Sequence, residues 1–194
     1  MGTDKPLIAI LLAVYEPRMD WLQEQLMSLN EQTYPNLRLY IRDDCSPAAS
    51  YAQVRACAQE CITSFPYSIT RNEENLGSNG TFERLTREAE GDLFAYCDQD
   101  DIWLPEKLTV LQKAMEREQA LVVCSDMYII DSSGKQVSDS LAKVRRHHVF
   151  RSGRDLAEGL LVSNFAAGCT MLVRAESAKQ AVPFCPYMVH DHYI

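Results

Sequence analysis

Apolar positions in this chain come in short continuous blocks separated by stretches of helical spacing. The first block, Leu7-Ile8-Ala9-Ile10-Leu11-Leu12-Ala13-Val14, has the pattern of a central strand buried on both faces, and it ends at Tyr15-Glu16-Pro17. From Met19 to Gln32, Leu22, Leu26 and Leu29 recur at helical spacing among polar residues, which predicts a helix with one stripe packed on a sheet. Leu37-Arg38-Leu39-Tyr40-Ile41 predicts a second strand, Ala48 to Thr63 a second helix and Tyr67-Ser68-Ile69-Thr70 a short third strand. A polar, glycine-bearing loop then runs from Arg71 to Gly80, and Thr81 to Glu90 predicts a helix closed by Gly91. Asp92 to Cys97 predicts a buried strand, Pro105 to Gln119 a helix and Ala120 to Cys124 a further buried strand. Alternating strands and helices of this kind define an α/β fold, with a mostly parallel, Rossmann-like sheet of about five strands flanked by helices.

Beyond Ser125 the texture changes. Met127 to Ile130 leads into a turn at Asp131-Ser132-Ser133-Gly134, and a polar stretch follows to Arg154, with Lys143, Arg145, Arg146, His147 and His148 in it. That stretch reads as a surface excursion whose basic cluster is solvated, with an anionic acceptor or a membrane surface as the other reading. Asp155 to Leu161 predicts a helix, Ala166 to Arg174 a strand and Glu176 to Ala181 a short helix.

Two of the strands run straight into acid. The second reaches Asp43 and Asp44, and the fourth reaches Asp98-Gln99-Asp100-Asp101, followed by Ile102-Trp103-Leu104-Pro105. The carboxyl edge of an open α/β sheet is where ligands bind, and carboxylates spaced i, i+2 can turn toward one cation or one polyol-phosphate. The alternative is a solvated acidic turn, against which stand the mutual repulsion of the three carboxylates and the large apolar Trp103 beside them. The glycines of the loop before Thr81 let backbone amides approach a phosphate, a weak signal by itself.

Charge and composition narrow the partners. With 194 residues, 46% of them hydrophobic, the chain suffices for one buried domain, and a net charge of -8 argues against general nucleic-acid binding. The same negative charge calls for a metal ion wherever an anionic ligand must lie near the acids. The seven cysteines are scattered and sit mostly in apolar runs, as reduced core residues do; Cys57 and Cys61 are helix-spaced but lack companion zinc ligands. No apolar run approaches the length that spans a bilayer, and Met1 to Pro6 holds no signal-peptide core, so the expected location is cytoplasmic.

Three spaced motifs carry a resemblance to the family 2 glycosyltransferases, inverting nucleotide-sugar transferases of GT-A fold, over essentially the whole chain. They are Ala13-Val14-Tyr15-Glu16 with Glu31-Gln32-Thr33-Tyr34-Pro35-Asn36; Ile41-Arg42-Asp43-Asp44-Cys45-Ser46; and Asn75-Leu76-Gly77 followed by Asp98-Gln99-Asp100-Asp101-Ile102-Trp103-Leu104. The form of the last, with His190-Asp191-His192-Tyr193 near the end, is most similar to the rhamnosyltransferase-like polysaccharide subgroup. The sequence departs from the family pattern where Glu16 stands for a frequent Asn, Cys45 for a frequent Gly, and at Gly80-Thr81.

The resemblance implies a metal-dependent transferase that uses a UDP- or dTDP-sugar donor and a saccharide or lipid-linked acceptor, with peripheral membrane association as a possibility. Asp100 and Asp98 are the implied ligands of Mg²⁺ or Mn²⁺, with Asp98 also placed for a ribose hydroxyl. Asp44 would accept from the imide N–H of uracil or thymine, Ala13, Tyr15 and Glu16 would line the base and ribose pocket, and Asn75 and Gly77 belong to the nucleotide site. Inversion requires a base to deprotonate the acceptor hydroxyl, and the matching acid is Asp191, where His190 and His192 are placed to tune it. Family members normally continue beyond such a point, so the expectation is one catalytic domain, residues 1–194, truncated at its carboxyl end. Two rival readings stand beside this one. An aspartate-nucleophile phosphatase also places acid after an apolar strand, but on its first strand, and a non-catalytic sugar-nucleotide-binding module would bind without chemistry.

Overall fold

The computed structural model describes residues 5–145, 149–154, 156 and 164–193. Strand β1 (Ile8–Val14) lies at the centre of the sheet, hydrogen-bonded in parallel to β2 (Leu37–Asp43) on one side and to β4 (Leu93–Cys97) on the other. β3 (Tyr67–Arg71) continues the parallel pairing beyond β2. The period-two alternation of a strand divides these residues between two cores. Ile8, Ile10, Leu12 and Val14, with Leu93, Ala95 and Cys97, face one core, closed by Leu22, Leu26 and Leu29 of α1 (Met19–Asn30), by Val54 and Ala58 of α2 (Ala48–Cys61), and by Leu108, Leu111 and Met115 of α4 (Lys107–Glu118). Ala9, Leu11, Phe94 and Tyr96 face the other, closed by Phe82 and Leu85 of α3 (Gly77–Glu88).

The sheet has six strands rather than about five, in the order β3-β2-β1-β4-β8-β5. β5 (Val122–Cys124) does not pair with β4. The late strand β8 (Met171–Arg174) inserts between them, antiparallel to both. The strand expected from Ala166 is shorter because Gly168–Thr170 forms a 3-10 turn, in which both the backbone N–H and the hydroxyl of Thr170 bond the Ala167 carbonyl. A small hairpin, β6 (Ile129–Ile130) and β7 (Gln136–Ser138), stands apart from the main sheet and leads to the single turn α5 (Leu141–Val144). After β8 come α6 (Ala175–Gln180) and the terminal turn α7 (His190–Tyr193). Of the helix expected over 155–161 only residue 156 is described, and within the basic cluster residues 146–148 lie outside the described residues.

Two local expectations are corrected. Helix α3 begins at Gly77 rather than Thr81, and its last residue is Glu88, with Ala89 as an extended cap. Gly91 therefore closes no helix; a Cβ there would stand 3.0 Å from the Ala9 Cβ, so glycine lets the β4 entry cross β1 closely. All seven cysteines are free thiols, and Cys57 and Cys61 are buried in the first core.

A polar brace fixes the loop after β4. Gln32, just beyond α1, donates to the carbonyls of Ser28 (3.2 Å) and Leu104 (2.9 Å) and accepts from the Leu108 N–H (3.3 Å). Ser28 accepts from the Trp103 N–H, and the Thr33 N–H bonds the Pro105 carbonyl. The second half of the first motif thus secures the chain that follows Asp101.

Candidate active site

The carboxyl ends of β1, β2 and β4 open onto one cleft of about 450 Å³, lined by Ala13, Val14, Tyr15, Asp44, Asn75, Gly77, Ser78, Thr81, Phe82, Asp98, Gln99 and Asp100. This is the edge at which parallel strands of an open sheet present ligand-binding loops. The paired acids at the end of β2 have different duties. Asp43 is fully buried, accepts from the Ser46 N–H and ion-pairs with Arg71 at 3.2 Å, so it shapes the turn. Asp44 instead lines the cleft, where both hydrogen bonds to its carboxylate fall on Oδ1, from the Leu76 N–H and from Asn72, each at 2.8 Å. These bonds orient the group and leave Oδ2 as its second acceptor.

The turn after β2 explains a departure noted in the sequence. Cys45 has φ 64°, in the left-handed region that favours glycine, so the cysteine is held there by its neighbours at a steric cost. Glu16 also has positive φ, 40°, and its N–H is bound by Ser46 Oγ. It is exposed and is not among the residues that line the cleft.

At the other end of the cleft, carboxylates crowd. Burial, together with the charges of Asp101, Asp100 and Asp191, pushes the Asp98 carboxyl up to about 7, against the pull of Lys107. Burial also raises Asp101, against the Cys169 thiol and the Lys107 charge, and its Oδ2 is buried with no hydrogen-bond partner. Ligand atoms of Asp98, Asp101 and Cys169 lie within 4.8 Å of one another. Lys107 is the local cation: its ammonium stands 3.5 Å from the Trp103 ring centroid and donates to the Cys169 carbonyl. Burial lowers its pKa to about 8. One ammonium beside several carboxylates leaves negative charge uncompensated, and an orphaned buried carboxylate oxygen is what a hard divalent cation would satisfy. The carboxylate oxygens of Asp98 and Asp101 therefore suit a hard divalent cation such as Mg²⁺ or Mn²⁺, whereas the Cys169 thiol, kept protonated by burial and the nearby carboxylates, is too soft a donor to serve as its ligand. Asp100 lies outside the three-residue group; it is exposed, on the cleft's wall.

Asp191 arrives from the far end of the chain. Its Oδ2 accepts from the Gly168 N–H at 3.0 Å, and its charge acts on Asp98. Oδ1 is buried without a partner. The neighbouring His190 is buried, its ring 4.2 Å from the Phe82 ring and 5.4 Å from that of Tyr96, and burial lowers its pKa to about 4, with Asp191 opposing. Asn79 ties the segment to α3, accepting from the His190 N–H and donating to the Met188 carbonyl. A Cβ on Gly168 would stand 2.7 Å from His190 Nε2, so this contact requires a glycine.

The structure thus brings Ala13, Tyr15, Asp44, Asn75, Gly77, Asp98 and Asp100 to one cleft, with Asp191 within electrostatic reach, and leaves Glu16 aside. Sequence reasoning gave no site role to Gln99, Lys107, Phe82 or Cys169, and it had Asp101 only as one of the three motif carboxylates and an alternative base. Gln99 and Asp101 lie inside the motif itself, whereas nothing in the sequence links Cys169 to it.

Comparison with known proteins defines the class. Residues 10–180 match the family model described as glycosyl transferase family 2, and the chain belongs to that family. An uncharacterised glycosyltransferase of Methanocaldococcus jannaschii is 30% identical over 137 residues, covering 68% of this chain and 45% of the relative. The Escherichia coli protein WfaP, named UDP-Glc:alpha-D-GlcNAc-diphosphoundecaprenol beta-1,3-glucosyltransferase, is 26% identical over 123 residues, 63% of this chain and 47% of its own. Among solved structures, the mannosyltransferase PcManGT of Pyrobaculum calidifontis, in complex with GDP-Man and Mn²⁺, superposes with TM-score 0.70 at 17% identity, covering 98% of this chain and 51% of that one. S. aureus TarS in complex with UDP-GlcNAc superposes with TM-score 0.65 at 19% identity, over 90% of this chain and 47% of TarS. The fold is therefore GT-A, and the chain spans less than half the length of the two named relatives.

Proposed function

We propose that this chain carries the donor-binding and catalytic machinery for inverting transfer of a sugar from a UDP- or dTDP-sugar to a hydroxyl of a saccharide or lipid-linked acceptor. The observation that carries the reading is the polarity of the cleft: a single oriented carboxylate, Asp44, at the β2 end, Tyr15 after the central β1, and clustered carboxylates at the β4 end. A nucleoside diphosphate has the matching polarity, with an imide donor on its base and an anionic pyrophosphate. Relatives named for UDP-linked and undecaprenol-linked chemistry support the donor and acceptor classes.

In this reading Asp44 Oδ2 accepts from the imide N–H, Tyr15 offers its ring to the base, and Ala13, Asn75 and Gly77 border the nucleoside. Asp98 and Asp100 would hold Mg²⁺ or Mn²⁺, with Asp101 a further oxygen donor. The bound ion would neutralise the pyrophosphate and stabilise the departing diphosphate. Asp191 is the general base: it removes the acceptor's proton as that oxygen attacks opposite the leaving group. Its Oδ1 is buried without a hydrogen-bond partner, and in this reading the acceptor hydroxyl is the group that would meet it. No helix among the described residues is long and apolar enough to cross a membrane.

The test is thermal stabilisation by UDP-glucose, UDP-GlcNAc and dTDP-rhamnose in Mn²⁺ or EDTA, with slow release of UDP or dTDP followed in parallel. Metal-dependent stabilisation with release supports the transferase. Stabilisation without release marks a binding module, and phosphate release from p-nitrophenyl phosphate marks a phosphatase.

A further inference from the structure

A second cleft, about 220 Å³ in volume, adjoins the first, and Asp100 is in the wall of both. Three separate pieces of chain build it: Trp21 and Glu24 on α1, Ile102 just after the acidic motif, and the hairpin end Ile130 to Gly134. The base end of the first cleft is Asp44 with Asn75 and Gly77, so the second cleft meets the donor site at its diphosphate end, where the transferred sugar and its acceptor belong.

Its lining has a consistent chemistry. The Arg18 guanidinium stands 4.0 Å from the Trp21 ring centroid and is paired with Asp20 at 2.6 Å. Ile102 and Ile130 are 49% and 40% exposed, large apolar side chains left open beside one another's cleft wall. Glu24, Asp100 and Asp131 supply carboxylates, and Ser132 supplies a hydroxyl. The hairpin end is preorganised, because Asp131 Oδ1 accepts from the N–H groups of Ser133 (2.9 Å) and Lys135 (3.2 Å) and from the Ser133 hydroxyl (2.6 Å). An aromatic ring and aliphatic side chains beside acceptor oxygens suit a pyranose, which has apolar C–H faces and a rim of hydroxyl donors. The lining itself has three carboxylates and no cation, and the neighbouring Arg18 is already paired with Asp20, which disfavours an anionic ligand. The carboxylates form no metal cradle either: among the described residues the convergent metal-ligand group is Asp98, Asp101 and Cys169. The volume lies below the roughly 300–1,000 Å³ of pockets for drug-sized ligands, which suits one sugar ring rather than an oligosaccharide.

We infer that the cleft between Trp21, Ile102 and the β6–β7 turn is the subsite for an uncharged sugar unit of the acceptor. This rests on the donor reading of the neighbouring cleft, and it assigns to the hairpin the task of selecting the acceptor.

The chain has two tryptophans, Trp21 and Trp103, and therefore two indole N–H signals in the spectrum of ¹⁵N-labelled protein, assigned with Trp21→Phe. In Mg²⁺ and UDP, methyl glycosides of glucose, N-acetylglucosamine and rhamnose are titrated, with methyl glucuronide as the anionic probe. The expected result is a saturable shift of the Trp21 signal with at least one neutral glycoside, with the glucuronide at least about tenfold weaker. Glu24→Ala, an exposed position, weakens the same titration without changing the thermal transition. Failure of every neutral glycoside to move the Trp21 signal, or equal binding of the glucuronide, overturns the assignment. UDP binding is read separately, from the backbone signals of Tyr15 and Gly77. If those stay unmoved the donor reading fails, whatever the glycosides do.

Discussion

The side-chain amide of Gln99 clasps the backbone of Tyr15 with both of its polar atoms: Oε1 accepts from the Tyr15 N–H at 2.9 Å, and Nε2 donates to the Tyr15 carbonyl at 3.2 Å. The parallel pairing of β1 with β4 ends at Leu12 and Cys97. The clasp adds one more rung beyond that point, made by a side chain in place of a backbone. It joins Tyr15, which the proposed function sets against the base, to the acidic motif after β4.

Replacing Gln99 with Ala removes both bonds, each worth about 1 kcal/mol, and releases Tyr15 from the β4 end. The predicted outcome is a loss of about tenfold in UDP affinity by calorimetry in Mn²⁺, with the fold retained. Unchanged affinity would show that Tyr15 is held without the clasp, or does not meet the nucleotide.

Asp44 yields a prediction of base choice. Its Oδ1 is taken by Leu76 and Asn72, so in the proposed role the remaining oxygen would accept from an imide N–H and repel the acceptor edge of cytosine. UDP and dTDP should bind more tightly than CDP, and Asp44→Asn should narrow the gap. Equal binding of all three to the native chain removes Asp44 from base recognition.

The metal assignment is separable by carboxylate. Asp100→Asn should sharply weaken UDP binding in Mn²⁺ and leave the weak metal-free binding unchanged. If Asp101→Asn has that effect instead, the ion is held by Asp98 and Asp101 rather than at the exposed Asp100.

Stability should depend on pH through His190. Its folded pKa, about 4, lies below the ordinary 6.5, because burial between Phe82 and Tyr96 disfavours the imidazolium. Between these values the unfolded chain binds the extra proton, so the His190 contribution is complete above about 6.5 and falls as pH drops toward about 4, by about 1.4 kcal/mol for each pKa unit of difference, while Asp98, raised to about 7, works in the opposite direction. Taking the native chain from pH 7.5 to pH 5 should lower its denaturant midpoint relative to that of His190→Phe, since the opposing Asp98 contribution is common to both. Equal differences would mean that His190 is already charged, or solvated, in the folded state.

What was legible in the sequence followed from local burial. β1 and β4 are continuous apolar runs because both faces are covered, and the acids mark where that cover ends. The start of α3 was not legible, since Gly77-Ser78-Asn79-Gly80 has the composition of a loop. It is helical because distant groups hold it: Asp44 Oδ1 takes the Leu76 N–H, and Asn79 bonds the Met188–His190 segment. The insertion of β8 beside β4 is equally non-local, and with it come Gly168 and Cys169, which complete the surroundings of Asp191 and Asp101. Asp191 came from family resemblance alone, and its neighbours in space lie more than twenty residues away.

Asp191 separates binding from chemistry. Its Oδ2 is held by the Gly168 N–H, so the carboxylate is oriented before any ligand arrives, while Oδ1 has no partner. The residues that border the proposed nucleoside site, Asp44, Asn75 and Gly77, form its opposite end, and Asp191 itself is absent from the cleft lining. Asp191→Asn keeps the shape and the oxygen that accepts from Gly168, and removes only the capacity to take a proton. Donor affinity should therefore stay within a fewfold of native, whereas transfer to an accepted saccharide should fall by at least the roughly 10²–10⁴-fold typical of a general base. Gly168→Ala should reproduce part of that loss by a different route, because its Cβ would collide with His190 and shift the carboxylate without altering its chemistry. Near-native transfer by Asp191→Asn, measured with donor binding intact, would assign the base to another acid at this edge, with Asp101 the first to test.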